Sequence, residues 1–544
     1  MIFKIILRVT VFIVFMLTNT LLLSYTLSDS VKYDPYVLYR QNYFDIQKYT
    51  LNLSFYLEAD KIYGNAKIDA QCLNDSMSHI YLNLSRNNYV NYVRLNGRPA
   101  ISYNSDEYIV VSTEDLIRKN DYFELEIDYD IIVENELNNC IYAALEEGKY
   151  YANNISSVFC SEKWFPSKIL LTDKFTLVCN ITVPYGYFAL SNGNSEGVDV
   201  LKDKKIFKWK TFYPVSRQYV GFSVGDFLID TLDIEYSSGN KQFQFINYFA
   251  KSFDRADFND SAITDIFNYY LDVYGEFPFA KEKYSFVFTG QNESSVFQNF
   301  SIIGCPEEFN NDVYVKMAEK FSYSWIGNAV TVENHKDNWI VDGLSGYFKA
   351  LWIRKLKGDE EFRTYMENIS EKVSEISLYD DKNILLSAPN DKGCWVFHMI
   401  RGITGDSVFY SIIREFYQKY RYKTADTRKF IEVCNNVSGF NFDEFFDQWV
   451  FGNYPKPEYK FEWNSDIFVK EDNNDFYMLR LSYEQIKPDS ILYKLPLRFT
   501  ICTDKDTIEQ KFLILKRKNS VNLPVLGKPV SVILDKDNWI LRKF

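Results

Sequence analysis

The hydrophobic pattern changes period twice along the chain. From about residue 41 to residue 232, apolar and polar positions alternate. Tyr49, Leu51, Leu53, Phe55 and Leu57 form one such run, and Phe123, Leu125, Ile127, Tyr129 and Ile131 another. A period of two puts one set of side chains on one face of a strand, so this block predicts an antiparallel β domain. Further strands are expected within 179–190 and 207–227, with Pro184-Tyr-Gly186 as a turn. From about 233 to 456 the period becomes helical. Ile263, Ile266, Phe267 and Tyr270 follow i, i+3, i+4, i+7, with Asp260 or Ser261 as cap and Gly275 as stop. A strand is expected at 284–288, and helices near 312–329, 339–356, 392–403, 408–420 and 442–450. From about 457 to 544 alternation returns at Phe461, Tyr477, Leu479, Leu481, Leu497, Phe499, Val530, Val532 and Leu534, predicting a small β-sandwich-like module. The expected architecture is therefore α+β and multidomain: a β domain at 41–232, a mainly helical domain at 233–456 and a C-terminal β module at 457–544. The acidic stretch 470–475 reads as a turn.

Ahead of these blocks, Lys4 and Arg8 precede a charge-free stretch of 20 residues, 9–28. As a helix it would be about 30 Å long, the thickness of a hydrocarbon core. A cleaved signal peptide is the alternative. However, Thr26-Leu-Ser28 is a weak cleavage site, and no Cys follows for lipid attachment. Residues 1–28 are read as a single-pass transmembrane anchor with the bulk of the chain extracytoplasmic, or secreted if the segment is removed.

Composition narrows the function. Apolar residues at 47% and charged residues at 25% describe a folded chain. A net charge of −12 excludes nucleic acid as a partner, because neutralising phosphates needs a basic face. Of the eight Cys none forms C-x-x-C, so no zinc-ribbon or thioredoxin-like signature is present. One or two bridges are expected outside the cell, Cys160 with Cys179 among them, and buried thiols elsewhere. Only three His occur, His79, His335 and His398, and His is the commonest zinc ligand and a frequent general base.

Residues 319–347 read EKFSYSWIGNAVTVENHKDNWIVDGLSGY. This segment resembles the zinc site of the membrane alanyl aminopeptidase family, which are gluzincin zinc metallopeptidases. There, one helix carries H-E-x-x-H, commonly followed by Q-W-F-G-N. A second helix supplies a Glu within N-D-x-W-L-N-E-G. Here Trp325-Ile-Gly-Asn328, Thr331-Val-Glu333, Asp337-Asn-Trp339 and Asp342-Gly343 match that frame. Tyr323 and Asp342 are separated by 18 residues, the family's ligand spacing. Trp164-Phe-Pro-Ser167, Thr182-Val-Pro184-Tyr-Gly186, the YVGFSVGDF run at 219–227, Tyr274-Gly-Glu-Phe-Pro-Phe279, the 391–399 segment DKGCWVFHM and Phe446-Asp-Gln-Trp449 match other family motifs. The resemblance covers about 41–544 and is strongest over 160–455. It implies a thermolysin-like, mainly helical catalytic-type domain behind the N-terminal β domain.

The same alignment implies that the chemistry is missing. The two ligand His positions hold Glu319 and Tyr323, the base position holds Lys320, and the third ligand is Asp342, one methylene short. The transition-state Tyr position holds Asn390. In the G-x-M-E-N motif, which binds the substrate's amine, Gln298 replaces the Glu beside Asn299. Zinc in hydrolases takes imidazoles and a carboxylate with one open position. Tyr is a poor ligand near neutral pH, and a Lys ammonium disfavours a second cation and cannot serve as base without a large pKa shift. Lys320 reads as a solvated or ion-paired residue, or as a stand-in for the metal's charge, pairing with Glu319 or Asp342. His335 reads as a loop residue and His398 as a packed helical one. No zinc is expected although the family uses it. The expected function is a membrane-anchored pseudopeptidase that binds peptide or a protein partner through the retained cleft. The alternatives are a working zinc aminopeptidase with unusual ligands, and a structural or assembly component of a membrane complex.

Overall fold

The alternation near the N-terminus becomes a long strand, Phe44–Tyr56, whose Tyr49, Leu51, Leu53 and Phe55 all point inward. The computed structural model describes residues 34–543 except 57–60, 134–139, 147, 237–240, 252–257, 292–293, 306–308, 374, 381–387 and 471–474. The expected membrane segment at 9–28, Leu57 and most of the 470–475 turn lie outside the described residues. Among the described residues no helix is long and apolar enough to cross a membrane. The three sequence blocks record the order of strand-rich and helix-rich stretches. Contacts instead group the chain into two compact units, one reaching His335 and adding Tyr420–Ala425, the other comprising Lys336–Lys419 and the chain from Asp426 onward.

In the first unit the main sheet runs in the order Asn194–Val200, Lys204–Lys210, Lys174–Pro184, Phe44–Tyr56, Lys61–Cys72, Tyr122–Ile132, Asn88–Leu95 and Arg98–Pro99. It corrects the antiparallel expectation at one pairing: Phe44–Tyr56 runs parallel to Lys174–Pro184, with Leu51 opposite Cys179. Parallel neighbours need a long connection, and here the whole intervening meander supplies it. The disulfide joins Cys160 to Cys140, not to Cys179. Cys179 alternates with Leu177 and Ile181 on the buried face of its strand, so its thiol belongs to the sheet core. The family-like Trp-Phe-Pro-Ser motif is structural. Trp164 is buried, the Tyr49 hydroxyl donates to Pro166 O at 3.1 Å, and Ser167 and Asn83 exchange backbone hydrogen bonds at 2.8 and 3.0 Å.

A second, mixed sheet has the order Phe227–Tyr236, Lys241–Ala250, Ser285–Thr289, Phe300–Gly304, Ser295–Phe297. The helix Asp260–Tyr274 buries Ile263, Ile266, Phe267 and Tyr270 as its spacing predicts and stops at Gly275, whose φ is +102°. Its cap is Asn259, one residue before the expected pair; the side-chain oxygen accepts from Ser261 N at 3.0 Å. The segment Tyr420–Ala425 completes this unit. Thr424–Ala425 pairs in parallel with Thr331–Val332, Tyr422 stacks on Tyr213 at 5.5 Å, and Arg421 pairs with Glu276.

The second unit holds the helices Trp339–Lys357, Asp359–Lys372, Ala388–Thr404, Asp406–Tyr420 (its last residue in the first unit) and Thr427–Ser438. The helix expected at 442–450 is a single turn, Asp443–Phe446, continued as a π-turn, Asp447–Phe451. Its C-terminal strands form two three-stranded sheets, with Phe461 and Tyr483 of one packed on Phe499 of the other at 5.6 and 5.3 Å. Leu479, Leu481 and Leu497 are buried, while Val530, expected inside, is exposed near the start of Pro529–Leu534.

Candidate functional site

Glu319, Lys320 and Tyr323 share the end of the helix Asn311–Ser322, which Asn310 caps by accepting from Asp312 N at 2.9 Å. The helix was expected to reach residue 329 but ends at Ser322. Beyond it, Asn328 N donates to Tyr323 O and Val330 N to Trp325 O, and Gly327 adopts φ +136°. Trp325 drives this turn. It is buried, stacks on Tyr274 at 5.1 Å and donates its indole N–H to Glu276 O at 2.9 Å. Lys320 Nζ lies 3.0 Å from a Glu319 carboxylate oxygen and 5.7 Å from the centre of the Tyr323 ring. The three replaced positions thus form one half-buried cluster, an ion pair leaning on an aromatic face.

Gln298 and Asn299 form the two-residue turn of the hairpin joining Ser295–Phe297 to Phe300–Gly304, with Asn299 at φ +75°. Both are fully buried. Gln298 N donates to Tyr219 O at 3.1 Å, its side-chain amide to Tyr213 O at 3.4 Å, and its carbonyl accepts from Asn192 Nδ2 at 2.6 Å. Glu282 braces Tyr213 from behind by accepting from the Phe212 and Tyr213 N–H groups. Burial pushes its carboxyl up, and those N–H groups offset this only in part. The hairpin's outer strand is engaged as well: Val296 N donates to Ser156 Oγ at 2.9 Å, and Asn328 Nδ2 to Phe297 O at 3.2 Å. Ser156, Asn192, Tyr213 and Glu282 were not foreseen. They meet the hairpin from distant parts of the chain and carry no local signal.

In the second unit Asp342 sits in the first turn of Trp339–Lys357, where it accepts from Asn338 Nδ2 at 2.6 Å. Asn390, exposed in the first turn of Ala388–Thr404, has its carbonyl oxygen 4.0 Å from where a Cβ on Gly346 would stand. The two helices meet through backbone. A Cβ on Gly343 would stand 2.7 Å from Gly393 C, and one on Gly393 2.9 Å from Gly343 Cα. The glycines of the family-like Asp-Gly and Lys-Gly pairs are therefore packing residues.

His398 is packed, as expected. Its Nε2 lies 3.0 Å from Asn538 O, which fixes the proton there and leaves Nδ1 to accept from Tyr347 Oη at 3.1 Å. Trp539 stacks on the ring at 4.7 Å. Burial pulls the imidazole down to about 3. His335, at the start of a short 3₁₀ turn, packs on Phe159 at 5.1 Å and is likewise pulled down to about 3, by burial first and by Arg217 second. His79 is exposed beside Ser78. Because the folded His398 stays neutral while the unfolded one protonates below about 6.5, its contribution is intact above that pH and is lost as pH falls toward 3. We expect wild type to lose about 2 kcal/mol through this group between pH 7 and pH 5. Urea unfolding at both values should show a smaller pH difference for His398→Gln.

These donors do not fit zinc. Glu319 is held by an ammonium, Tyr323 offers a phenol, Asp342 is bonded to Asn338, and His335 and His398 are occupied in packing. Among the described residues no group of three or more His, Cys, Asp or Glu is placed to hold a metal.

An N-terminal β domain followed by a helical catalytic-type domain, with these motifs at the ends of their helices, defines a protein of aminopeptidase build. Residues 45–217 match the Peptidase M1 N-terminal domain and 307–449 the Peptidase family M1 domain. The chain belongs to the M1 aminopeptidase family, the gluzincins. Glutamyl aminopeptidase of Sus scrofa is 22% identical over 449 residues, covering 74% of this chain and 46% of that protein. Transcription initiation factor TFIID subunit 2 of Schizosaccharomyces pombe is 23% identical over 306 residues, covering 47% of this chain and 25% of that protein. The crystal structure of Legionella pneumophila aminopeptidase A in complex with aspartic acid superposes with a TM-score of 0.77 at 14% identity, covering 92% of this chain and 59% of that one. The chain spans about half the length of the first of these relatives.

Proposed function

We propose that this chain is a non-catalytic member of its family. It is anchored by residues 9–28 with the bulk outside the cytoplasm, and it binds peptide or a protein partner at the half-buried Glu319–Lys320–Tyr323 surface. One observation carries the reading: the Lys320 ammonium sits 3.0 Å from Glu319, where the resemblance puts a general base beside a metal ligand. A cation bonded to that carboxylate opposes a second cation, and it cannot take a proton from water. The test is metal analysis and turnover on the same purified full-length protein. We expect far less than one zinc per chain and no chelator-sensitive release of glutamyl, alanyl or leucyl amides above background. Stoichiometric zinc with chelator-sensitive release would overturn the reading in favour of an active aminopeptidase.

A second reading, a subunit of an assembly, is favoured by the relative named as a transcription-factor subunit. Capture of one stoichiometric protein complex from detergent-solubilised membranes, undiminished by Lys320→Ala, would favour it over binding at the Lys320 surface.

A further inference from the structure

A three-stranded sheet in the first unit presents an aromatic face outward. Its strands are Ser76–Asn83, Tyr108–Arg118 and Ser102–Asn104. Ile80, Leu82, Ile109 and Val111 point into the core. The register sets Tyr81 opposite Val110 and Val110 opposite Tyr103, so these three share the other face. Ile101, two residues before Tyr103, extends it, and Tyr103 and Ile101 are 66% and 80% exposed. The short helix Pro35–Gln41 abuts the same face. It buries Val37 and Gln41 and leaves Tyr36 and Tyr39 55% and 60% exposed, with Tyr36 edge-on to Tyr81 at 5.7 Å. The Arg40 guanidinium lies among the rings of Tyr43, Tyr81 and Tyr36 at 4.5, 5.5 and 5.9 Å.

Single exposed apolar residues need no explanation, but a contiguous group built from two elements does. The mix is specific: rings with a polar tip around a cation, the chemistry of the layer where lipid headgroups meet acyl chains. The chain's course supplies the second argument. The charge-free residues 9–28 are joined to Pro35 by six residues, 29–34, which can reach at most about 20 Å. Whatever holds 9–28 therefore holds Tyr36 close to it.

We propose that the face formed by Tyr36, Tyr39, Ile101 and Tyr103 lies in the headgroup layer of the membrane and fixes how the rest of the chain is presented. The inference rests on the anchor reading given above. The test uses the full chain reconstituted in phosphatidylcholine vesicles doped with a photoactivatable phosphatidylcholine. The vesicles are floated, irradiated and mapped by mass spectrometry. Lipid adducts are expected on the peptides carrying Tyr36–Tyr39 and Ile101–Tyr103, and not on those carrying Leu515 or Val530, which are equally open. The fourfold variant Tyr36→Ser, Tyr39→Ser, Ile101→Ser, Tyr103→Ser should float as well as wild type, with adducts on these peptides reduced about fivefold. If this variant melts early, Ile101→Ser with Tyr103→Ser carries the comparison. Protein that floats without adducts there, or a variant labelled as strongly as wild type, overturns the face while leaving the anchor. Protein that fails to float overturns the anchor, and the face with it.

Discussion

Changing Glu319 and Tyr323 to His and Lys320 to Glu should raise the zinc content of the purified chain from near zero to about one ion per chain. The backbone permits it. Tyr323 closes its helix at φ −61°, ψ −18°, still helical, so residues 319 and 323 remain one turn apart on one face. The same change removes the ammonium that now holds the Glu319 carboxylate at 3.0 Å. The end of the helix is secured independently by the buried Trp325 and by Asn328, so the new histidines inherit a fixed base. Hydrolysis should stay weak while Gln298 remains. Metal analysis after dialysis against free zinc reads the result. A folded variant that stays empty would fault either the surroundings or the register. Histidines at Lys320 and Ser324 separate these, since only a register error would be repaired by the shift.

Gly343→Ala should destabilise the second unit severely, by about 3 kcal/mol or more, because the added methyl meets backbone. Gly393 C would lie 2.7 Å from it, and backbone cannot turn aside as a side chain does. Gly346→Ala, one turn on, meets nothing closer than Cys394 Cβ at 3.6 Å. It should stabilise by up to about 1 kcal/mol, the ordinary gain of Ala over Gly in a helix. Thermal unfolding of the two variants side by side checks both signs. Equal and small effects would mean that the two helices are not in backbone contact.

Alternation along 49–55 and 123–131 was legible because apolar residues recur at every second position on the core face of a strand, and those residues are buried, although Glu126 and Asp128 on the other face of the second strand are buried too. The pairing of these strands was not legible, since the parallel match of Leu51 with Cys179 depends on a long crossover connection that leaves no local mark. The same blindness misassigned the disulfide: the hairpin of Ile141–Glu146 with Lys149–Asn154 returns the chain to Cys140, at φ +52°, and so brings Cys160 to it, a pairing that the alternation did not mark. The helices Asp359–Lys372 and Thr427–Ser438 were not singled out; the first, with Asp359, Glu360 and Glu361 in its opening turn, buries only four residues. In the candidate site the positions of Glu319, Lys320 and Tyr323 on one helix end followed from the motif frame. What Gln298 touches did not, because Tyr219, Tyr213 and Asn192 arrive from far away in sequence.

The segment Tyr420–Ala425, with its strand against Thr331–Val332, belongs to a unit otherwise finished at His335. During synthesis the ribosome therefore delivers residues 336–419 before the last strand of the first unit emerges. Until then Tyr213 lacks its stacking partner and Glu276 its guanidinium. The usual order, in which an N-terminal domain closes before the next begins, cannot run to completion here. The first unit can close only once Tyr420–Ala425 has emerged, and a polypeptide released at His335 would leave the ribosome with an open edge at Thr331–Val332.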